Sequence, residues 1–433
     1  MDISKVLKNK SVKNAGWIIG GRLTNKIISF LVSVLTARYL GPGNYGLIDY
    51  AAAYTTFFAS LCNLGINSII IKNFVDHPDE QGEAIGTAVV LRMLSSILSI
   101  IMICGIVQIV EKDEPVTILV VFLSSIGLFF QSFDTLKRWF QSRLQSKYAA
   151  IATVISYIAV SVYKIALLAA GKSVEWFAVA TSIDHIVVAL CLMFAYRRNG
   201  GPRFSCSVSK GKELLGASSG FILSGLMISI YAATDKFMLK QMLDGSAVAY
   251  YALSVTLSTI CSFILEAIID TAYPSILQAY GNDAQRFARR NRQLYAMVFY
   301  GAISVSVVMC VFSKPIVMLL YGKAYLPAVQ PLRVIAWFTA FSHLGAARNA
   351  WVVCENAQKY LKYLYAGAAL INVVLNWLMI PVWGASGAAV ASLVTQIATA
   401  VVLPAMIPAL RPNVKLMVEA VLLRDVLPEK KSG

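Results

Sequence analysis

Long apolar runs, each about 20 residues and separated by short polar loops, recur along the whole chain. Such a run spans the hydrocarbon of a bilayer as a helix, because only a helix satisfies every backbone polar group within the segment. About twelve runs can be marked, near residues 16–38, 46–70, 85–110, 116–135, 149–170, 176–196, 217–240, 247–271, 294–313, 329–352, 362–383 and 386–409. The connections are short, so the pattern predicts no sizeable soluble domain. Lys5, Lys8, Lys10 and Lys13 precede a first run that is long and interrupted by polar residues, unlike the core of a cleavable signal peptide.

The pattern also repeats. Leu40-Gly41-Pro42-Gly43-Asn44-Tyr45-Gly46-Leu47-Ile48 returns in altered form as Leu243-Asp244-Gly245-Ser246-Ala247-Val248-Ala249-Tyr250-Tyr251, each between two apolar runs, at an offset of 203 residues (243 − 40). Lys147-Tyr148 opens a run after a basic loop and Lys359-Tyr360 does so 212 residues later (359 − 147), while Ala178-Val179-Ala180 returns as Ala389-Val390-Ala391. Ordered echoes at nearly constant spacing predict an internal duplication. The expected fold is an all-α integral membrane protein of two parallel six-helix repeats around a central cavity. Residues 1–200 would form an N-terminal lobe, 201–410 a C-terminal lobe and 411–433 a cytoplasmic tail. Six helices return the chain to its starting side, so the repeats are related by an axis along the membrane normal, as in many transporters.

Composition agrees with a bilayer as solvent. The 433 residues are 58% hydrophobic and 14% charged, with a mean hydropathy of +0.67, whereas a soluble domain carries about 25% charged residues. Assigning loops to alternate sides puts about 25 Lys and Arg on the side of the N-terminus and about 6 on the other. Both termini are therefore expected in the cytoplasm, and the net charge of +16 reads as topology signal and attraction to anionic lipid rather than as nucleic-acid binding. The interleaved Phe133–Leu144 segment is expected to lie at the interface as an anchor, and Val414–Leu427 to form a short amphipathic cytoplasmic helix.

The Ala-Arg-Tyr-Leu-Gly-Pro-Gly-Asn-Tyr-Gly stretch (37–46), the weaker 243–251 copy and Thr-Asp-Lys-Phe-Met-Leu (234–239) resemble the polysaccharide-export family. Its members include the O-antigen (Wzx-type) lipid-linked oligosaccharide flippases of the multidrug/oligosaccharidyl-lipid/polysaccharide exporter superfamily. The resemblance implies a flippase in the bacterial cytoplasmic (inner) membrane that moves a polyprenyl-pyrophosphate-linked oligosaccharide to the outer leaflet by alternating access. It further implies partners among other surface-polysaccharide assembly proteins. The second copy departs from the pattern, with Asp244 and Ala249 where glycine is usual. In the first, Pro42 fixes φ while Gly41, Gly43 and Gly46 permit the positive φ of a tight reversal.

Ionisable residues inside spans mark candidate sites, since each is costly unless it faces a cavity or finds a partner. Arg22 and Lys26 share a helix face at i, i+4. With Arg92 in the third run, they are the expected pyrophosphate ligands. Lys164 and Asp184 lie at similar depth on either side of the 171–175 loop and are expected to form an intramembrane ion pair. Together with Asp49, Asp235 and Glu266 they are the candidates for gating or for proton or sodium coupling; local pairing, as of Asp235 beside Lys236, is the alternative for the acids. His77, His185 and His343 have no metal-binding spacing, no phosphate-binding loop for a nucleotide is present, and the seven cysteines are scattered. No cofactor is expected.

Two rival functions remain open from residues alone. A drug or cation exchanger of the same fold would prefer an acidic cavity, whereas the deepest charges here are basic. A polytopic enzyme of glycan assembly would present a large outward loop, and the outward loops here are short.

Overall fold

The computed structural model describes residues 10–281 and 283–424, and their side chains apart from 10–27, 223 and 224. Among the described residues there is no strand. The helices are α1 (Lys10–Asn63), α2 (Ile70–Asp76), α3 (Gln81–Val110), α4 (Pro115–Ser125), α5 (Gly127–Gln131), α6 (Thr135–Ser142), α7 (Lys147–Ala169), α8 (Val174–Arg198), α9 (Val208–Met242) and α10 (Gly245–Ser258). They continue as α11 (Ser262–Ala279), α12 (Ala284–Val311), α13 (Ser313–Tyr321), α14 (Val329–Ile335), α15 (Phe338–Cys354), α16 (Leu361–Trp383), α17 (Ala385–Ile397), α18 (Leu403–Met406) and α19 (Arg411–Val421). Seven helices among the described residues are long and apolar enough to cross a membrane, or nine if each of two bent pairs is one span. The first two predicted runs share α1, on either side of Gly41. The tenth is interrupted at Ala336–Trp337 between α14 and α15.

Gly41 takes φ 72, ψ 171 within α1, so this one glycine makes the reversal that Pro42 then converts into a new helix start. Gly43 and Gly46 do not use the positive φ that the sequence allowed them. The second copy solves the same problem without a glycine. Asp244 is extended and its carboxylate accepts from the Ala247 N–H at 2.8 Å, capping α10.

The chain divides into two compact units, Met1–Ala233 and Thr234–Gly433, and their internal geometry repeats. After α6, Leu144 takes φ 53, and after α15, Asn356 takes φ 51, an offset of 212 (356 − 144). Around the first, the Leu144 N–H donates to Gln141 O and the Gln145 N–H to Phe140 O. Around the second, the Asn356 N–H donates to Val353 O and the Ala357 N–H to Val352 O, all at the same offset. The lysines that follow, Lys147 and Lys359, sit over the rings of Tyr148 and Tyr360 at 4.8 and 5.2 Å.

In each unit an interrupted helix is served alike by a hydroxyl. Between α4 and α5 the helix is interrupted, and Ser96 on α3 donates to Leu128 O at 3.0 Å. Beside the α14–α15 interruption, Ser306 on α12 donates to Ala336 O at 2.6 Å. A hydroxyl from the neighbouring helix thus serves a carbonyl at a place where the helical ladder is disturbed.

One sequence expectation changes here. Trp139 and Phe140 on α6 are fully buried in the first unit's core with Phe74, Leu192 and Tyr196 rather than lying in lipid. The Trp139 indole donates to Gln81 Oε1 at 3.0 Å and Arg143 stacks on its ring at 4.2 Å, so α6 is tied down by polar partners that only the fold supplies. The amphipathic C-terminal helix α19 docks on its own unit. Met417 and Ala420 enter the core with Leu294, Tyr295 and Trp351, Asn413 donates to the Tyr295 hydroxyl at 2.6 Å, and Arg292 pairs with Glu419 at 3.0 Å.

The segment after α8 is laid as a strap across the start of α3. A Cβ on Gly82 would stand 2.4 Å from Arg203 O, and one on Gly86 2.1 Å from Ser205 O, so the Gly82-x-x-x-Gly86 spacing admits the strap's backbone directly. The Ser205 N–H donates to Gly82 O at 3.3 Å and the Ser207 N–H to Thr87 Oγ1 at 3.1 Å. Lys210 then bridges Glu80 and Glu213 at 2.9 and 3.0 Å. Replacing Gly86 by alanine is expected to lift the strap and raise the rate of tryptic cleavage after Arg203 roughly tenfold, equivalent to a clamp weakened by about 1.4 kcal/mol. Cleavage at the wild-type rate would show that the strap is not held by this close approach.

Candidate functional site

The most developed polar centre among the described residues lies in the second unit. Asp235, on α9, is 5% exposed and sits among apolar helices. Two amides on α16 converge on it: Nδ2 of Asn372 donates to Oδ1 at 3.0 Å and Nδ2 of Asn376 to the same oxygen at 2.6 Å. Ser392 on α17 donates to Oδ2 at 2.6 Å, and the Tyr251 hydroxyl on α10 donates to Oδ2 as well. Tyr251 and Ser392 are themselves 2.9 Å apart. The partners are buried, Asn372 and Asn376 completely.

A carboxylate so placed is costly unless its charge is balanced. Its described partners are all neutral. Lys236, the neighbour suggested by the sequence, is not one of them, because consecutive helical residues point about 100° apart. The donor set can also invert. Asn376 Oδ1 is buried with no hydrogen-bond partner, and a half-turn of an Asn amide exchanges nitrogen for oxygen at nearly the same position. With both amides turned, two amide oxygens and two hydroxyls would surround the carboxylate. That is an all-oxygen environment suited to a hard cation.

Arg92 is the centre of the first unit's buried polar network. It is 0% exposed, and its guanidinium donates to Thr135 Oγ1 at 2.9 Å, Asn63 Oδ1 at 2.6 Å and Gln131 O at 3.0 Å. Gln131 ends α5, where a 3₁₀ turn, Ser132–Asp134, replaces the α-helix. The arginine therefore ties α3 to a helix end instead of facing an open cavity.

Lys164 and Asp184 do not form the expected ion pair. The Ser156 hydroxyl takes the Asp184 carboxylate, and Ser156 lies eight residues before Lys164, about 12 Å along α7. Lys164 remains in the electrostatic field of Asp184 and Asp49 without contact to either. Asp49 is half-buried on α1, and Glu266 is exposed on α11 and is not a partner of Asp235. The side chains of Arg22 and Lys26 lie outside the described residues. Asn372, Asn376, Ser392 and Tyr251 escaped the sequence reading. Their one signal was the i, i+4 asparagine pair inside the apolar run of α16.

Long apolar helices, a turn repeated 212 residues apart and an acid buried among apolar helices describe a multi-pass membrane protein. Solved structures agree. The chain superimposes on the lipid II flippase MurJ in an inward closed conformation with a TM-score of 0.69 at 14% identity, covering 93% of this chain and 90% of that one. An inward-facing multidrug resistance MATE family transporter of the MOP superfamily matches with a TM-score of 0.68 at 15% identity, over 91% of this chain and 95% of that one. Its outward-facing counterpart gives 0.63 at 15% identity, over 95% and 96%. A family profile described as "Polysaccharide biosynthesis protein" matches residues 11–279. The chain belongs to this family. No curated protein matches it by sequence.

Proposed function

We propose that the protein is a cation-coupled flippase that moves a polyprenyl-pyrophosphate-linked oligosaccharide from the cytoplasmic to the outer leaflet of a bacterial inner membrane, with both termini in the cytoplasm. The observation that carries the coupling is Asp235, a buried carboxylate whose described partners are all neutral and can present oxygen in its place. Arrival of sodium or a proton there removes the cost of the bare charge, and so favours whichever state of the lobe closes around it. The family match supports a polysaccharide-pathway cargo. Arg22 and Lys26, on one face of the first helix, supply the cationic pair for its pyrophosphate, and an inside-negative potential assists an outward-moving anion by about 2.3 kcal/mol per charge per 100 mV.

The test is leaflet transfer in proteoliposomes. A polyprenyl-pyrophosphate oligosaccharide should become accessible to an impermeant sugar-modifying enzyme, without a change in lipid mass, only when a sodium or proton gradient is imposed. Export of a cationic drug with no lipid transfer would replace this reading by drug exchange, and a covalently altered glycan would replace it by an enzyme.

A further inference from the structure

A cavity lies where the strap leaves α8. The chain reverses at Gly200, which takes φ 69, and lays Gly201 flat on the Tyr196 ring, where a Cβ would come within 2.5 Å of a ring carbon. The Tyr196 hydroxyl donates to Pro202 O at 2.6 Å, and Phe204 packs on the same ring at 5.2 Å between centroids. These contacts border a half-open cavity of about 380 Å³ between the end of α8 and the strap. Met193, Tyr196 and Phe204 give it apolar walls, and Arg197 and Arg203 give it charge.

Three features fix the kind of ligand. Arg197, Arg198 and Arg203 are exposed, and none of their guanidiniums has a hydrogen bond or ion pair within the described residues, so the charge is not spent on the protein. Leu190 and Phe194 on the same helix are each 66% exposed at i, i+4, an apolar stripe on a helix long and apolar enough to cross a membrane; Arg198 continues that face one turn on, about 6 Å further, as basic residues do where such a helix reaches headgroups. Phe204, 39% exposed, extends the apolar wall to the rim. A free anion needs only the charge, whereas a phosphate that arrives attached to acyl chains needs both charge and apolar rim.

We propose that this cavity binds the phosphate headgroup of an anionic phospholipid, with Arg197 and Arg203 as its ligands and Phe204 against the glycerol and first methylenes. Since the cavity is made by the strap, an occupying lipid fastens the segment that joins α8 to α9.

The experiment is native mass spectrometry of the purified full chain after delipidation, titrated with phosphatidylglycerol or phosphatidylcholine. Wild type should retain one phosphatidylglycerol in preference to phosphatidylcholine. Arg197→Gln/Arg203→Gln should weaken that binding about thirtyfold, the worth of two arginines near a charged surface. Arg286→Gln/Arg290→Gln, which removes the same charge from the exposed first turns of α12, should leave it unchanged. Equal weakening in both double variants, or no preference over phosphatidylcholine, would overturn the site. Displacement of the lipid by inorganic phosphate at matched concentration would assign the cavity to a free anion instead.

Discussion

Asp235→Asn is expected to abolish the dependence of translocation on a cation gradient while leaving a well-folded, monodisperse protein. The substitution keeps the shape and removes the charge. A buried ionic ligand is worth about 3 kcal/mol or more when its partner is in place, which corresponds to a loss of at least about a hundredfold in coupled transport. The fold should not suffer, because the variant no longer buries an uncompensated charge among Asn372, Asn376 and Ser392. The two effects separate in a thermal-shift titration. A ligand that binds only the native state raises the apparent Tm in proportion to RT ln(1 + [L]/Kd). The wild type should gain stability with added sodium, or with falling pH if the coupling ion is the proton, and Asp235→Asn should respond to neither. A variant that still answers to the ion would remove Asp235 from the coupling machinery.

Arg92→Met should act in the opposite sense, on stability first. Three oxygens on three segments, Asn63 Oδ1, Thr135 Oγ1 and Gln131 O, depend on one guanidinium. Methionine fills much of the volume but leaves the Gln131 carbonyl unserved at a helix end inside the bilayer. A net cost of about 2–4 kcal/mol is expected, since hydrogen bonds from a charged donor contribute about 1.5–3 kcal/mol each and part of that is returned by no longer burying the cation. The apparent Tm should fall by about 5 °C or more. Lysine should rescue little, because a single ammonium cannot spread over acceptors arranged for a planar fork. Unchanged stability with lost translocation would return Arg92 to the cargo, as the sequence first suggested.

The spans, the duplication and the membrane class were legible because they depend on the length and order of apolar runs, which survive any detail of packing. The kink at Gly41 was legible for the same reason, being local chemistry. What escaped depended on azimuth. Counting residues from the 171–175 loop gave Lys164 and Asp184 a similar height but neither the stagger of α7 and α8 nor the direction of the side chains, and Ser156 took the carboxylate instead. Asp235 stood out as an ionisable residue in a run. Its partners did not, since Asn372 and Asn376 are neutral and add little to the polarity of α16, and Ser392 and Tyr251 are ordinary in any helix. Trp139 was misplaced through composition alone: an aromatic among basic residues suits an interface, until Gln81 offers its indole a buried acceptor.

The shared turn at Leu144 and Asn356 also sets a register along the helices that follow it. Carried into α7 and α16, the offset of 212 sets Lys164 opposite Asn376 (376 − 164). The neighbouring echoes set Val32 opposite Asp235 (235 − 203), Asp49 opposite Ala252 (252 − 49) and Asp184 opposite Thr395 (395 − 184). The charge pattern of one copy is therefore not repeated in the other: a lysine near two acids in the first, an acid among neutral hydrogen-bond donors in the second. Two identical chains assembled as a dimer must carry the same residues at both places. In a single polypeptide the two copies are free to differ, and the position that carries Lys164 in one helix carries the neutral Asn376 in the other.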